Sequence, residues 1–463
     1  MDPLFSPHNT HLEDPDHFQD RDPQLRQLQK QVHVHKPALL DQLPHRLPGI
    51  YTIGGGRQIG KTTLLKQWMA KLLSDGTAPS AIVFFSGELI DDHRTLYRLL
   101  QTHLATMPTD VLSYVLVDEV SYIRDWDKAV KYAADAGLLE NVVLVLTGPD
   151  LALIQEARMT FPGRRGQAET VDFHLYPLSF KEVVLLKGVI KDLSAFDSSN
   201  TDIPPDLSDT LFAEFNRYLI HGGFLTAIND YASSGSIQLA TLNTYSDWMR
   251  GDMIKRGKQE HYLREILATI IKRYNTQVTW NALARDLSID HPATVADYAA
   301  LLVTMDALFI QAALLESKLA PAPKKARKLM FTDPFIFHAI RSWLWPDADP
   351  FKAQILTAID DSILCSHLVE ACVATHYRRY YSTYYIKAEG EVDIAYVHDN
   401  RFWPIEIKWT EQLRPKDLKQ IAKYPNSRIF SKSRQRGRIN AIDTTPLPVA
   451  LLGVGEGPWP SAG

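Results

Sequence analysis

The spacing of apolar positions along this chain changes several times, and each change marks an element. Five short runs are rich in β-branched and aromatic residues and show little alternation: GIYTI from Gly49, AIVFFS from Ala81, YVLVDE from Tyr114, NVVLVL from Asn141 and TVDFHL from Thr170. Runs of that length without a polar face predict strands buried on both sides. Between them lie stretches with helical spacing, such as TTLLKQWMAKLL from Thr62 to Leu73, stopped by Asp75 and Gly76. The alternation predicts an α/β core with a parallel sheet and helices on both faces, over residues 23–180.

The pattern then turns helical. Residues 181–255 read as a helical lid, broken by a polar insert from Ser194 to Ser208 and a turn at HGGFLTAI from His221. Residues 256–340 read as a winged helix: YLREILATIIKRY, a short helix entered through Thr279, a long helix from Ala293 to Leu308, then FIQAALLE and the basic turn PAPKKARKLMF. Residues 341–463 open with a helix from Ile363 to Tyr377. A strand EVDIAYV, a turn at His398 to Asn400 and a strand FWPIEIKW follow, which makes another α/β domain. Residues 1–22 are rich in Asp, Pro and His without any period and predict a flexible arm, with His8, His11 and His17 solvated. Gly453 to Gly463 predicts a frayed tail.

The loop after the first strand carries chemistry. Gly55, Gly56, Arg57, Gln58, Ile59, Gly60, Lys61 and Thr62 form G-x-x-x-x-G-K-T, with Thr63 opening the helix. Strand, glycine loop and helix are the context in which backbone N–H groups cradle phosphate, aided by the helix N-terminus. Lys61 would reach the β/γ-phosphates of ATP, and the Thr62 hydroxyl would hold Mg²⁺. The third strand ends in Asp118 and Glu119. Adjacent buried acids need a cation or water, so Asp118 would support the metal and Glu119 would polarise the attacking water. Thr147, at the end of the fourth strand, either touches the γ-phosphate and its water or closes a plain turn. The arginines of FPGRRG, Phe161 to Gly166, suit a finger inserted into a neighbouring subunit, or else a solvated basic loop.

A second constellation lies near the C-terminus. Strand alternation puts Glu391 and Asp393 on one face, and Glu406 and Lys408 on one face of the next strand. A hairpin can join Asp393, Glu406 and Lys408 around one metal, with the Ile407 carbonyl as a further ligand and Glu370 completing the shell. This is the D-x(n)-E-x-K layout of PD-(D/E)xK nucleases; the alternative is a salt-bridged hairpin without activity. From Arg414 to Arg438 nine cations (Arg414, Lys416, Lys419, Lys423, Arg428, Lys432, Arg434, Arg436, Arg438) face one acid, Asp417, with Tyr424 and Phe430 interleaved. They read as a nucleic-acid groove or a solvated surface. The winged helix offers DNA contact through its long helix and Lys324, Lys325, Arg327 and Lys328, or else serves as a contact module between domains or subunits.

Composition narrows these choices. At 463 residues the chain has room for about three domains. A net charge of −4 excludes a global pull toward nucleic acid, so such binding needs a local patch. Cys365 and Cys372 sit seven apart in one apparent helix, wrong for a zinc cluster or a disulfide. They read as buried residues of a reducing compartment. No run is long enough to span a membrane and no signal sequence opens the chain, which predicts a cytoplasmic protein.

Taken in order, GGRQIGKTTLL, YVLVDEV, the TG of Thr147 and Gly148, the GR of Gly163 and Arg164, YPLSFKEV from Tyr176, GGF from Gly222, FTDPFIF from Phe331 and EVD…PIEIK resemble the prokaryotic AAA-type ATPase family that joins a P-loop core to a C-terminal domain of unknown function with a restriction-endonuclease-like fold. The match covers nearly all the chain after the arm. The resemblance implies ATP binding, homo-oligomers with Arg164 as the finger in trans, and a C-terminal domain near the nuclease superfamily. Pro149 and Asp150 depart from the small hydroxyl residues usual after Thr147 and Gly148, and Arg217 is the candidate second sensor. Two functions follow as expectations: an ATPase coupled to a nuclease-like domain that binds DNA or RNA, or a regulatory ATPase whose C-terminal domain binds a partner.

Overall fold

The computed structural model describes residues 3–148, 157–191, 204–289, 291–410 and 418–456. The chain forms two compact units, Met1–Tyr176 with Thr304–Asp306, and Pro177–Val303 with Ala307–Gly463. Pro149, Asp150, Arg414, Lys416, Asp417 and most of the polar insert lie outside the described residues.

The first unit contains all five expected strands: β1 (Gly49–Gly54), β2 (Ile82–Ser86), β3 (Ser113–Asp118), β4 (Val142–Thr147) and β5 (Asp172–His174). They form one sheet in the order β2-β3-β4-β1-β5, and every neighbouring pair is parallel. Successive residues of a strand face opposite sides, so two cores form. Tyr51, Ile53, Phe84, Leu116 and Val145 pack with Leu64, Leu65, Trp68, Met69 and Leu72 of the helix Lys61–Ser74. Ile50, Phe85, Val117, Leu144 and Leu146 pack with Leu96 and Leu100 of His93–Leu104, and with Ala129, Val130 and Ala133 of Trp126–Asp135. Burial on both faces explains the continuous apolar runs.

Residues 3–22 are not a loose arm. Phe5 and Phe18 are buried, and Phe5 meets the Phe85 ring edge-on at 5.1 Å. β2 lies at the sheet edge, where unpaired backbone groups need partners. The Asn9 amide supplies them: it donates to the Phe84 carbonyl at 2.8 Å and accepts from the Phe84 N–H at 2.7 Å. His11, expected in solvent, is buried and donates from Nε2 to the Ile82 carbonyl at 3.0 Å. Asp22 caps the helix Pro23–Gln29 and forms a 3.1 Å ion pair with Lys66, both side chains 1% exposed. This packing depends on side-chain-to-backbone pairing, which has no sequence period.

The helices expected as a lid belong to the second unit. Pro205–His221 packs on Pro334–Leu344, Ser362–Arg378 and Leu447–Leu452. The helices Glu260–Lys272, Trp280–Arg285 and Pro292–Thr304 precede an antiparallel ribbon of β6 (Leu308–Ala312) and β9 (Arg327–Phe331), with the short pair β7 (Leu314–Leu315) and β8 (Ala320–Pro321) between them. A six-stranded mixed sheet follows, in the order β10-β11-β12-β13-β15-β14, built from β10 (Ser382–Lys387), β11 (Glu391–His398), β12 (Arg401–Lys408), β13 (Arg428–Ser431), β14 (Gly437–Ile439) and β15 (Ile442–Pro446). Asp399 and Asn400, both at positive φ, form the two-residue turn between β11 and β12.

Three sequence pieces without evident chemistry meet in this unit. The Leu178 N–H donates to the Gly223 carbonyl, and the Gly223 N–H donates to Asp333 Oδ2, both at 2.8 Å. Asp333 Oδ1 accepts from the Phe335 N–H and so caps the next helix. A Cβ on Gly223 would lie 2.0 Å from the Leu178 carbonyl oxygen, so only glycine fits. The PLSF, GGF and TDP pieces are thus one buried junction.

Asn9→Ala is expected to lower stability by about 1–3 kcal/mol, because it orphans two backbone groups of β2. The midpoint of a denaturant titration checks this; an unchanged midpoint would mean that the arm does not cover the edge.

Candidate nucleotide site and acid cluster

The parallel order brings the C-terminal ends of β1, β3 and β4 together, and the candidate nucleotide residues lie there. The loop 55–60 uses conformations that favour glycine at Gly55 (φ 147°) and Gly60 (φ 96°), and Gln58 also has positive φ, 61°. A Cβ on Gly55 would meet the Leu175 carbonyl oxygen at 2.4 Å. Lys61 opens its helix with Nζ 3.2 and 2.9 Å from the Gly55 and Gly56 carbonyls and 3.6 Å from Glu119. Burial pushes its ammonium pKa down, against the pull of Glu119 and Asp118. Gln58, Ile59 and Thr63 complete the loop and the first helical turn.

Asp118 is buried with a hydroxyl on each oxygen. Thr62 donates to Oδ2 at 2.6 Å and Thr147 donates to Oδ1 at 2.5 Å. The Thr147 oxygen also accepts the Glu119 N–H at 2.9 Å. Thr147 therefore ties both acids to β4. Glu119 adopts φ 52°, a strained value for a residue with a side chain. Gly87 makes room for that turn, since its Cβ would lie 2.4 Å from the Glu119 carbonyl oxygen. Burial raises the Glu119 carboxyl pKa, Lys61 lowers it, and Oε2 is buried without a hydrogen-bond partner. An orphan carboxylate oxygen beside a phosphate loop suits a water, and the Thr62–Asp118 pair suits Mg²⁺.

Arg57 was expected only as a loop position. It donates to the Tyr122 hydroxyl at 2.7 Å, linking the loop to the segment after Glu119. Arg165 is fixed within the sheet: it pairs with Asp172 at 2.5 Å and donates to Thr52 and to the Ile50 and Val171 carbonyls. Arg164 instead reaches Asp135, at the end of Trp126–Asp135, at 2.5 Å. Arg217 pairs with Glu214 in the second unit.

The C-terminal candidates converge at one cluster. Lys408 donates to Glu406 Oε1 at 2.5 Å, and Asp393 Oδ2 accepts the Ile407 N–H at 2.8 Å. Glu370, on the helix Ser362–Arg378, accepts from Asn275 at 2.7 Å. Burial first, then Asp393, pushes the carboxyl pKa of both Glu370 and Glu406 well above the usual range, against Lys328 and Lys408. The residue that sequence reasoning misplaced is Lys328. Read as a wing cation for DNA contact or as part of a contact module, its side chain is 3% exposed and pairs with Glu391, with Glu370 Oε2 at 3.9 Å and Asp393 Oδ1 at 4.0 Å. Lys325 donates to the Lys387 carbonyl and Arg327 stacks on Trp280, so three of the four wing cations are engaged within the protein. Among the described residues no group of His, Cys, Asp and Glu is arranged to hold a metal ion.

Several cations of the basic segment are also engaged. Lys423 pairs with Glu389, Arg434 pairs with Asp209 and stacks on Phe212, and Arg438 pairs with Asp443. Cys365 and Cys372 are buried free thiols. Among the described residues no helix is long and apolar enough to cross a membrane.

Residues 48–184 match the family model of an AAA domain. With the phosphate loop and the five-stranded parallel sheet, that match makes this region an AAA-type P-loop ATPase domain. Residues 212–347 and 365–444 match two further models, each described as a domain of unknown function (DUF8612 and DUF4143). An uncharacterized protein of Haemophilus influenzae is 27% identical over 184 residues, 39% of this chain and 40% of that protein. The chain thus matches less than half the length of this curated relative. Among solved structures, the Walker-type ATPase PABY2304 of Pyrococcus abyssi aligns with a TM-score of 0.42 and 14% identity, covering 65% of this chain and 93% of that one. The Aeropyrum pernix Orc1 protein in complex with DNA aligns at 0.31 and 14%, covering 74% and 97%.

Thr147→Val is expected to lower ATP turnover roughly ten- to a hundredfold by loosening Asp118 and Glu119, with nucleotide affinity nearly unchanged. Steady-state kinetics beside a fluorescent-nucleotide titration separates the two effects; normal turnover would make Thr147 a plain strand end.

Proposed function

We propose that this protein is a Mg²⁺-dependent ATPase whose nucleotide cycle drives a C-terminal nuclease-like domain that binds nucleic acid. The observation that carries the ATPase reading is the junction of Lys61, Thr62, Asp118, Glu119 and Thr147 at the ends of three adjacent parallel strands. The loop N–H groups and Lys61 bind and orient the phosphates. Thr62 and Asp118 hold Mg²⁺, which when bound neutralises phosphate charge. Glu119 positions a water and accepts its proton as the water oxygen bonds to the γ-phosphorus and the bond to ADP breaks. Arg164, supplied by a neighbouring copy, meets the charge that develops; unlike Arg165 it has no partner within the sheet.

The nuclease-like reading of the last domain is supported by the meeting of Glu370, Asp393, Glu406 and Lys408. The winged-helix reading of residues 256–340 is supported by the order of three helices and a ribbon. A second reading, a regulatory ATPase with a non-catalytic partner-binding domain, is favoured by the engagement of the wing cations within the protein. Nucleotide kinase chemistry fits less well, because it gives Glu119 no water to activate.

ATP hydrolysis by wild type and Glu119→Gln, each with and without mixed single- and double-stranded DNA and RNA, tests the proposal. Glu119→Gln should still bind ATP and lose roughly 10²-fold or more in turnover. Wild-type stimulation by one nucleic acid supports the nucleic-acid machine; indifference to all of them moves the reading to the regulatory ATPase. Lys61→Ala should weaken nucleotide binding by about 1.5–3 kcal/mol through a lost charge-assisted contact, read by calorimetry. In mixing experiments, Arg164→Ala subunits should depress the turnover of their wild-type neighbours beyond simple dilution; strictly additive activities would refute a finger in trans.

A further inference from the structure

The acid cluster of the second unit already contains a cation. Glu370, Glu391 and Asp393 surround the ammonium of Lys328, which comes from β9 of the ribbon rather than from the sheet that carries Asp393, Glu391 and Glu406. The side chain is directed there by its surroundings. Opposite Lys328 on β6 stands Gln311, which donates to the Tyr384 and Asp393 carbonyls. Asn275 and Gln277, just before the short helix Trp280–Arg285, donate to Glu370 and Glu391. The three-helix and ribbon segment thus places a charge and two amides on the acids, and a third amide on the backbone of the strand that carries Asp393.

The oxygens that a metal would use are engaged accordingly. Asp393 Oδ2 takes the Ile407 N–H, Oδ1 faces Lys328, and Glu406 Oε1 takes Lys408. Glu406 Oε2 remains buried without a hydrogen-bond partner, in a side chain 6% exposed. A divalent ion needs several carboxylate oxygens at about 2.0–2.6 Å. It cannot gather them while an ammonium draws two of the same carboxylates toward itself, and two cations at such a distance repel each other.

We propose that Lys328 is a built-in counter-ion of this cluster and that it and a divalent metal ion are alternative occupants, so that β9 holds the nuclease-like site closed. This rests on reading the cluster as a metal site at all. A Lys side chain has a flexible four-carbon stem, so withdrawing the ammonium needs no change in the sheet that carries Asp393 and Glu406. The site opens when the ribbon or its lysine withdraws, and that step is where the rest of the chain can govern it.

Mn²⁺ binding by the nucleotide-free full-length chain, read by calorimetry, tests the proposal. Every sample carries Asp118→Asn to silence the ATPase metal site. With Lys328→Gln added, Mn²⁺ should bind roughly tenfold or more tighter than with Lys328 present, and adding Glu406→Gln should abolish the gain. Equal binding with and without Lys328, lost on Glu406→Gln, would leave the metal site standing and overturn its closure by Lys328. No binding in either, with unchanged circular dichroism, would overturn the metal-site reading and the inference together. Should Lys328→Gln fail to fold, amine acylation of the chain with Lys328 intact, read by mass spectrometry, decides. Lys328 should react slowly and then faster as Mn²⁺ is added; a rate that Mn²⁺ does not change overturns the proposal.

Discussion

Removing a carboxylate from water costs several kcal/mol unless donors or a cation replace the lost hydration, and four buried acid sites of this chain meet that cost in different ways. Asp118 receives two hydroxyls. Asp22 receives the two N–H groups of a helix start and an ammonium. Asp333 receives two backbone N–H groups, one from a glycine that no other residue could replace. The C-terminal cluster receives Lys328 and Lys408. Each of these sites also has a partner distant in sequence (Lys66 for Asp22, Thr62 for Asp118, Gly223 for Asp333, Lys328 for the cluster), so these acids also fix how their units are assembled.

In the first unit this requirement and the parallel sheet act together. The sheet brings three strand ends side by side, and Thr147 converts that adjacency into a fixed geometry for Asp118 and Glu119. The strain at Glu119 is tolerated because Gly87 yields space and the strand ends are held on both sides. The glycine loop, the Thr62–Asp118 pair and the unpartnered oxygen of Glu119 are then set by packing rather than by flexible side chains, the preorganisation that the proposed hydrolysis would require.

In the second unit the same requirement works against the simplest expectation. Acids and a lysine on a hairpin promise a metal site, and basic residues on a ribbon promise a surface for nucleic acid. Folding places one set against the other, so the ribbon cation neutralises the hairpin acids. Attraction between groups of opposite charge is a reason for the ribbon and the sheet to share one unit.

The strands, the phosphate loop and the acid pair were legible in the sequence because they depend on local pattern: continuous apolar runs, glycines at a tight turn and polar residues at strand ends. The hairpin of Asp393 and Glu406 was legible for the same reason, since alternation fixes which side chains share a face. The ordered arm was not, because the Asn9 and His11 contacts join side chains to a strand more than seventy residues away and leave no period. Nor was the Leu178, Gly223 and Asp333 junction, whose members are ordinary until they touch. The destination of Lys328 was decided only by tertiary structure: a lysine in a basic turn reads as a wing cation for nucleic acid or a contact module until folding places carboxylates around it, and electrostatic partners are set by distance in space, which sequence spacing does not encode.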